Sequence, residues 1–91
     1  MDLSVEIIGV IGATLTTASF VPQVYKVVKT KSVEGISLTM YLVFFIGILF
    51  WLYYGIKIDS FSVIFANIIT GILVLIILLF RIIYGNRNKE K

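Results

Sequence analysis

Three long apolar stretches, two of them free of any charge, set the limits on what this 91-residue chain can fold into. The second runs from Leu38 to Ile56 and the third from Phe61 to Phe80. Each is close to the ~20 residues that a helix needs to cross ~30 Å of hydrocarbon. The first, from about Val5 to Val28, holds an apolar core from Ile7 to Val21, with Glu6 and Lys26 near its limits and Pro22-Gln23 toward its end. Charged residues are 14% of the sequence and hydrophobic ones 59%, against roughly 25% charged in an ordinary soluble domain. So few polar groups cannot cover the surface of a small domain in water, which excludes a soluble globular fold and a disordered segment. The apolar runs are continuous and do not alternate, which argues against a β-barrel. Asp2 and Glu6 precede the first run, where a cleaved signal peptide carries Lys or Arg. The expectation is an all-α membrane protein with spans at about 5–28, 38–56 and 61–83 and a basic cytoplasmic tail over 84–91, in a single domain.

The basic residues set the orientation. Lys26, Lys29 and Lys31 flank the first connection, and Arg81, Arg87, Lys89 and Lys91 follow the third span, which leaves Lys57 alone at the other end out of 8 Lys and Arg. The positive-inside rule then puts the N-terminus outside and the first connection and tail in the cytoplasm. The net charge of +3 is explained by topology, with no nucleic-acid partner required. Gly35 marks a turn in the first connection, and Ser37 is placed to cap the second helix. Lys57 to Ser60 is so short that the second and third helices form a tight hairpin, with Ser60 or Asp59 capping the third.

The chain has no Cys and no His, which removes thiol and imidazole catalysis and most metal and haem ligation. The carboxylates are Asp2, Glu6, Glu34, Asp59 and Glu90, none deep in the second or third span, and Glu6 is expected at the outer surface. No enzyme activity, cofactor or metal is expected. A multidrug-type antiporter needs a membrane-embedded Glu that is not visible here. A small pore-forming or structural oligomer stays open as an alternative. Three short helices cannot by themselves enclose a passage for a solute, so a transporter built from this chain needs more than one copy.

A few residues are costly in a membrane. Asn67 lies about 9 Å along its helix from Phe61, and Trp51 about 7.5 Å from Ile56, so the hairpin puts both at nearly one depth. An indole face beside an amide suits a sugar, the ring covering C–H groups while the amide donates to and accepts from hydroxyls. An interfacial Trp and an interhelical hydrogen bond are the plainer readings. Thr70, Gly71 and Val74 share the Asn67 face, which reads as a cavity wall or a close helix contact. Pro22 frees the carbonyl of Ala18 and kinks the first helix, unless that helix ends near the interface. The hydroxyls of Thr14, Thr16, Thr17 and Ser19 are candidates to bond the freed carbonyl. Tyr53, Tyr54, Lys57 and Asp59 gather at the outer mouth as anchors or a gate, and Phe20 and Met40 as packing or an inner plug. Gly9, Ala13 and Thr17 repeat at a spacing of four, as do Gly12 and Thr16, for packing within or between subunits.

Taken together, Phe20-Val-Pro-Gln-Val24, Glu34-Gly-Ile-Ser37, Met40-Tyr41, Trp51-Leu-Tyr-Tyr-Gly-Ile56 and Ala66-Asn67 resemble the bacterial SemiSWEET sugar transporters, half-size relatives of the SWEETs in the PQ-loop group. The resemblance covers nearly the whole chain. It implies a three-helix bundle with the third helix between the first and second, functional as a parallel homodimer with the sugar path along its two-fold axis. It assigns substrate binding to Trp51 and Asn67, the hinge to Pro22 and Gln23, an outer gate to Tyr54, and an inner gate to Phe20 and Met40; Lys57 and Asp59 join the outer gate by their place at that mouth, where the charges stand one position away from the family's pattern. The expected function is passive, bidirectional uniport of a mono- or disaccharide across the bacterial inner membrane. A related carrier of another small metabolite is the neighbouring alternative.

Overall fold

The protein is described by a computed structural model covering residues 2–89, with side chains through residue 85. It consists of three helices, α1 (Leu3–Thr30), α2 (Leu38–Lys57) and α3 (Phe61–Lys89). Each is long and apolar enough to cross a membrane. The chain-end signals are local and chemical. Asp2 accepts from the Ser4 N–H at 3.2 Å and caps α1. Lys31 adopts a left-handed φ of 59° and closes the last turn by donating its N–H to the Val27 carbonyl. Gly35, at φ 82°, turns the connection, and Ser37 accepts from the Met40 N–H at 3.1 Å to start α2. At the other end Asp59, at φ 54°, makes the reversal, and Ser60 caps α3 by accepting from the Val63 N–H at 3.3 Å. The third helix runs on to Lys89, so residues 84–89 of the expected tail continue α3. The Arg87 and Lys89 side chains, and Glu90 and Lys91 whole, lie outside the described residues.

α3 lies between α1 and α2, and among the described residues the backbones of the two outer helices do not meet. The result is a slab one helix thick, 51 × 22 × 14 Å. Small residues permit the close approaches within it. A Cβ on Gly9 would stand 2.5 Å from Ser62 Oγ of α3, and one on Gly55 2.8 Å from Val63 Cγ1. Ala13 is buried and Thr17 meets Thr70 hydroxyl to hydroxyl at 3.2 Å, so the Gly9-Ala13-Thr17 stripe packs against α3 within the subunit. Gly12 has open space around it. Away from the hairpin the helices share an apolar core of Tyr41, Ile48, Val74, Ile77 and Leu78, with Phe20, Val24 and Phe45 against it. Most other large apolar side chains point outward, including Ile8, Phe50 and Ile72, as lipid contact or a further subunit requires.

α1 passes through Pro22 without ending. The hydroxyls upstream of it do not bond the Ala18 carbonyl as expected. Thr14 donates to the Val10 carbonyl, Thr16 to Gly12 and Ala13, and Ser19 to Thr16. The reason is geometric: a helical Ser or Thr hydroxyl reaches back three or four residues, and all of these precede the position that would reach Ala18.

The glycine approaches give a test. Gly55→Val places branched carbons where Val63 already stands, and overpacking of this kind costs about 1–3 kcal/mol. Gly47→Ala, where nothing lies within 4 Å, should leave stability nearly unchanged. Thermal unfolding in detergent should show a clear drop for the first and little for the second.

Candidate functional site: a groove at Trp51 and Asn67

A groove of about 360 Å³ opens on one side of the slab between α1, α2 and α3. Trp51 and Asn67 both line it, with Gly12 and Thr16 from α1 and Ser62 and Ala66 from α3. The equal depth read from the hairpin therefore becomes a shared cavity. Trp51 is 57% exposed, so its ring is available to something outside the subunit. Tyr54 stands edge-on to it, at 5.4 Å between ring centroids and 89° between planes, which fixes the indole from the hairpin side. The Asn67 amide nitrogen donates to the Val63 carbonyl of its own helix at 2.8 Å. That bond uses one amide hydrogen and leaves the second hydrogen and the amide oxygen for a ligand. No charged side chain lines the groove.

The face that Asn67 shares with Thr70, Gly71 and Val74 is divided between the two readings. Thr70 bonds Thr17, Gly71 lies against Ile48 and Val74 is fully buried, so these make helix contacts while Asn67 faces the groove.

At the hairpin end Lys57 Nζ sits 5.3 Å from the centre of the Tyr53 ring, a cation–π contact. No ion pair among the described residues joins it to Asp59, which is exposed on the turn. At the opposite end the Phe20 ring lies 5.8 Å from Phe44, while Met40 is 54% exposed. Pro22 and Gln23 are exposed on α1.

Two contacts were not read from the sequence. Tyr41 is buried, and its hydroxyl donates to Gln23 Oε1 at 2.5 Å, a polar tie directly between α1 and α2. Glu6 lies at the expected end, but it is 8% exposed and not on the surface. Its carboxylate accepts from Ser60 Oγ at 2.9 Å, Ser62 Oγ at 2.8 Å and the Ser62 N–H at 3.2 Å. A carboxylate at a helix start is favoured by the free N–H groups and by the helix dipole, which repays its burial. The signal available in the sequence was the Ser60-x-Ser62 pair opening α3 at the same end as an unpaired acid.

The PQ loop repeat family matches residues 4–58. The chain is 44% identical over 83 residues to a sugar transporter SemiSWEET of Leptospira biflexa, covering 91% of this chain and 98% of that one. It is 40% identical to a sugar transporter SemiSWEET of Escherichia coli, covering 90% of each. The fold superposes with a TM-score of 0.84 on a crystal structure of SemiSWEET in the inward-open conformation, at 38% identity, over 96% of this chain and 91% of the other. The chain is a helical membrane protein of the PQ-loop family, and within it belongs to the SemiSWEETs.

The Tyr41–Gln23 tie should be measurable. Tyr41→Phe keeps the ring in the core and removes the donor, and should lower stability by about 0.5–1.5 kcal/mol. Chemical or thermal unfolding in detergent checks it.

Proposed function

We propose that two copies of this chain pair in parallel to form a passive, bidirectional sugar transporter. It is a uniporter for mono- or disaccharides such as glucose or sucrose, working by alternating access in the bacterial inner membrane. The observation that carries this reading is the open groove in which an exposed indole face and a half-satisfied amide meet. A slab 14 Å thick cannot surround a solute, and a second groove set face to face closes the space. Two Trp51 rings then cover the C–H faces of one sugar while two Asn67 amides serve its hydroxyls. The relatives at 40–44% identity are named as sugar transporters, which supports the substrate class.

Alternation needs one part of the chain to move against another. In this reading Pro22 and Gln23 are the hinge, and the half of α1 that follows them swings at the cytoplasmic end. Phe20 and Met40 close the inner gate, and Tyr54, with Lys57 and Asp59, the outer one. Exposed charges suit a gate, since surface ion pairs are worth at most about 1 kcal/mol and open readily. The groove carries no acid, and the Glu6 carboxylate is engaged by three donor groups. A neutral lining favours movement of a neutral solute without proton coupling. The basic first connection and tail place that end in the cytoplasm.

Proteoliposome uptake of labelled glucose and sucrose tests the proposal. Uptake should saturate, and Trp51→Ala and Asn67→Ala should each lower it at least about tenfold, roughly 1.4 kcal/mol of lost sugar contact. Leakage that does not saturate would point to a pore. Full uptake by both variants would overturn the site.

Pairing has a separate test, because the chain has no native Cys. A lone Tyr54→Cys in membranes should give an oxidant-dependent, reducible dimer on a non-reducing gel when the outer gate closes. A disulfide requires Cα atoms within about 7 Å, and cross-linking that falls away as the protein is diluted in lipid would mark collision between separate copies and count against a stable pair.

A further inference from the structure

The Glu6 cluster is joined to the groove by an unbroken set of bonds. The Glu6 carboxylate accepts from Ser60 Oγ at 2.9 and 3.0 Å and from the Ser62 hydroxyl at 2.8 Å. Ser60 Oγ in turn accepts from the Val63 N–H at 3.3 Å, and the carbonyl of Val63 accepts the Asn67 amide at 2.8 Å. Ser62, bonded to Glu6 through both its hydroxyl and its N–H, itself lines the groove. Gly9, one turn beyond Glu6 on α1, lies so close to Ser62 that the two backbones are held at a fixed spacing. One acid on α1 thus bonds the first turn of α3, and the turn that follows carries the Asn67 amide.

We infer that Glu6 is a positioning residue for substrate binding: by fixing Ser60 and Ser62 at the start of α3 it holds the Asn67 amide, and the wall beside it, in the orientation that receives a sugar. The inference rests on the proposed reading of the groove. Glu6 does not touch the substrate in this arrangement. Its carboxylate suits the task because it is acceptor-only and can take all three donors at once. A Gln has one acceptor oxygen and brings an NH₂ toward hydroxyls that are already donating. The Ser60 and Ser62 hydroxyls must then turn, which disturbs the bond that Ser60 Oγ accepts from the Val63 N–H at the start of α3.

The test uses the full-length protein in detergent or nanodiscs, with the intrinsic fluorescence of Trp51, the sole Trp of the chain. Glucose and sucrose titrations give the apparent Kd. Glu6→Gln and Ser62→Ala should each raise it about three- to tenfold, the range expected when a hydrogen-bonded positioning contact is lost. Asp2→Asn, which removes an acid at the same end whose partner is Ser4, should not. Added to Asn67→Ala, Glu6→Gln should weaken binding by clearly less than the sum of the two single losses, because the amide it positions is gone. An unchanged Kd in Glu6→Gln with only a lower Tm would overturn the assignment and leave Glu6 a purely structural tie. Additive losses in the double variant would overturn it as well. If the unmodified protein gives no response to either sugar and transports none, the reading of the groove fails and the inference falls with it.

Discussion

Everything in this fold depends on α3 receiving a helix on each side. α1 and α2 do not bring their backbones together; each packs along the third helix, and they touch each other through side chains such as Tyr41–Gln23 and Phe20–Phe44. Lipid offers apolar side chains as good a home as protein does, so the hydrophobic effect gives little net pull between helices in a membrane. Close backbone approach and internal hydrogen bonds must supply the attraction instead. The chain does this where it has no bulk to spare, at Gly9 against Ser62 and Gly55 against Val63, and where hydroxyls meet, at Thr17 and Thr70.

The two ends of the bundle use different chemistry. The hairpin end is held by a buried carboxylate, two serines and two glycines, all short-range and directional. The other end is held by an apolar core around Ile77 and Val74, with Tyr41–Gln23 and an Arg81 bond to the Ile36 carbonyl at its margins. The groove sits on the hairpin side of that core. Apolar packing is non-directional and tolerates sliding of one surface over another, whereas a cluster of ionic hydrogen bonds does not. An element that must swing is better seated on the first kind of contact, and a binding wall that must keep its shape on the second.

Much of the architecture was legible because the signals were local or periodic. Uncharged apolar runs near the thickness of a bilayer mark α2 and α3, and Ser37 and Ser60 stand where helices begin and do cap them. Trp51 and Asn67 could be matched in depth by counting residues from a short turn, since an antiparallel hairpin fixes register. What could not be read was contact between segments far apart in sequence. Glu6 looked like a surface acid because no local rule says that α1 will lie beside Ser60 and Ser62. Nothing near Tyr41 names Gln23 as its partner, and the stripe from Gly9 to Thr17 fits a neighbouring helix in the same chain as well as one in another. The hydroxyls before Pro22 were misdirected for a simpler reason. They can reach only backward along the helix, so the freed carbonyl lies ahead of them.

An odd number of helices has a consequence for how such a unit can be enlarged. The start of α1 and the far end of α3 lie at opposite ends of the slab. Two units that stand in the same direction, as proposed for the pair, therefore cannot be fused by a loop, since the first would end on the side of the membrane opposite to where the second must begin. A single-chain version would need one further crossing between the halves. Separate copies avoid the problem, at the cost that the two halves of the proposed path are identical.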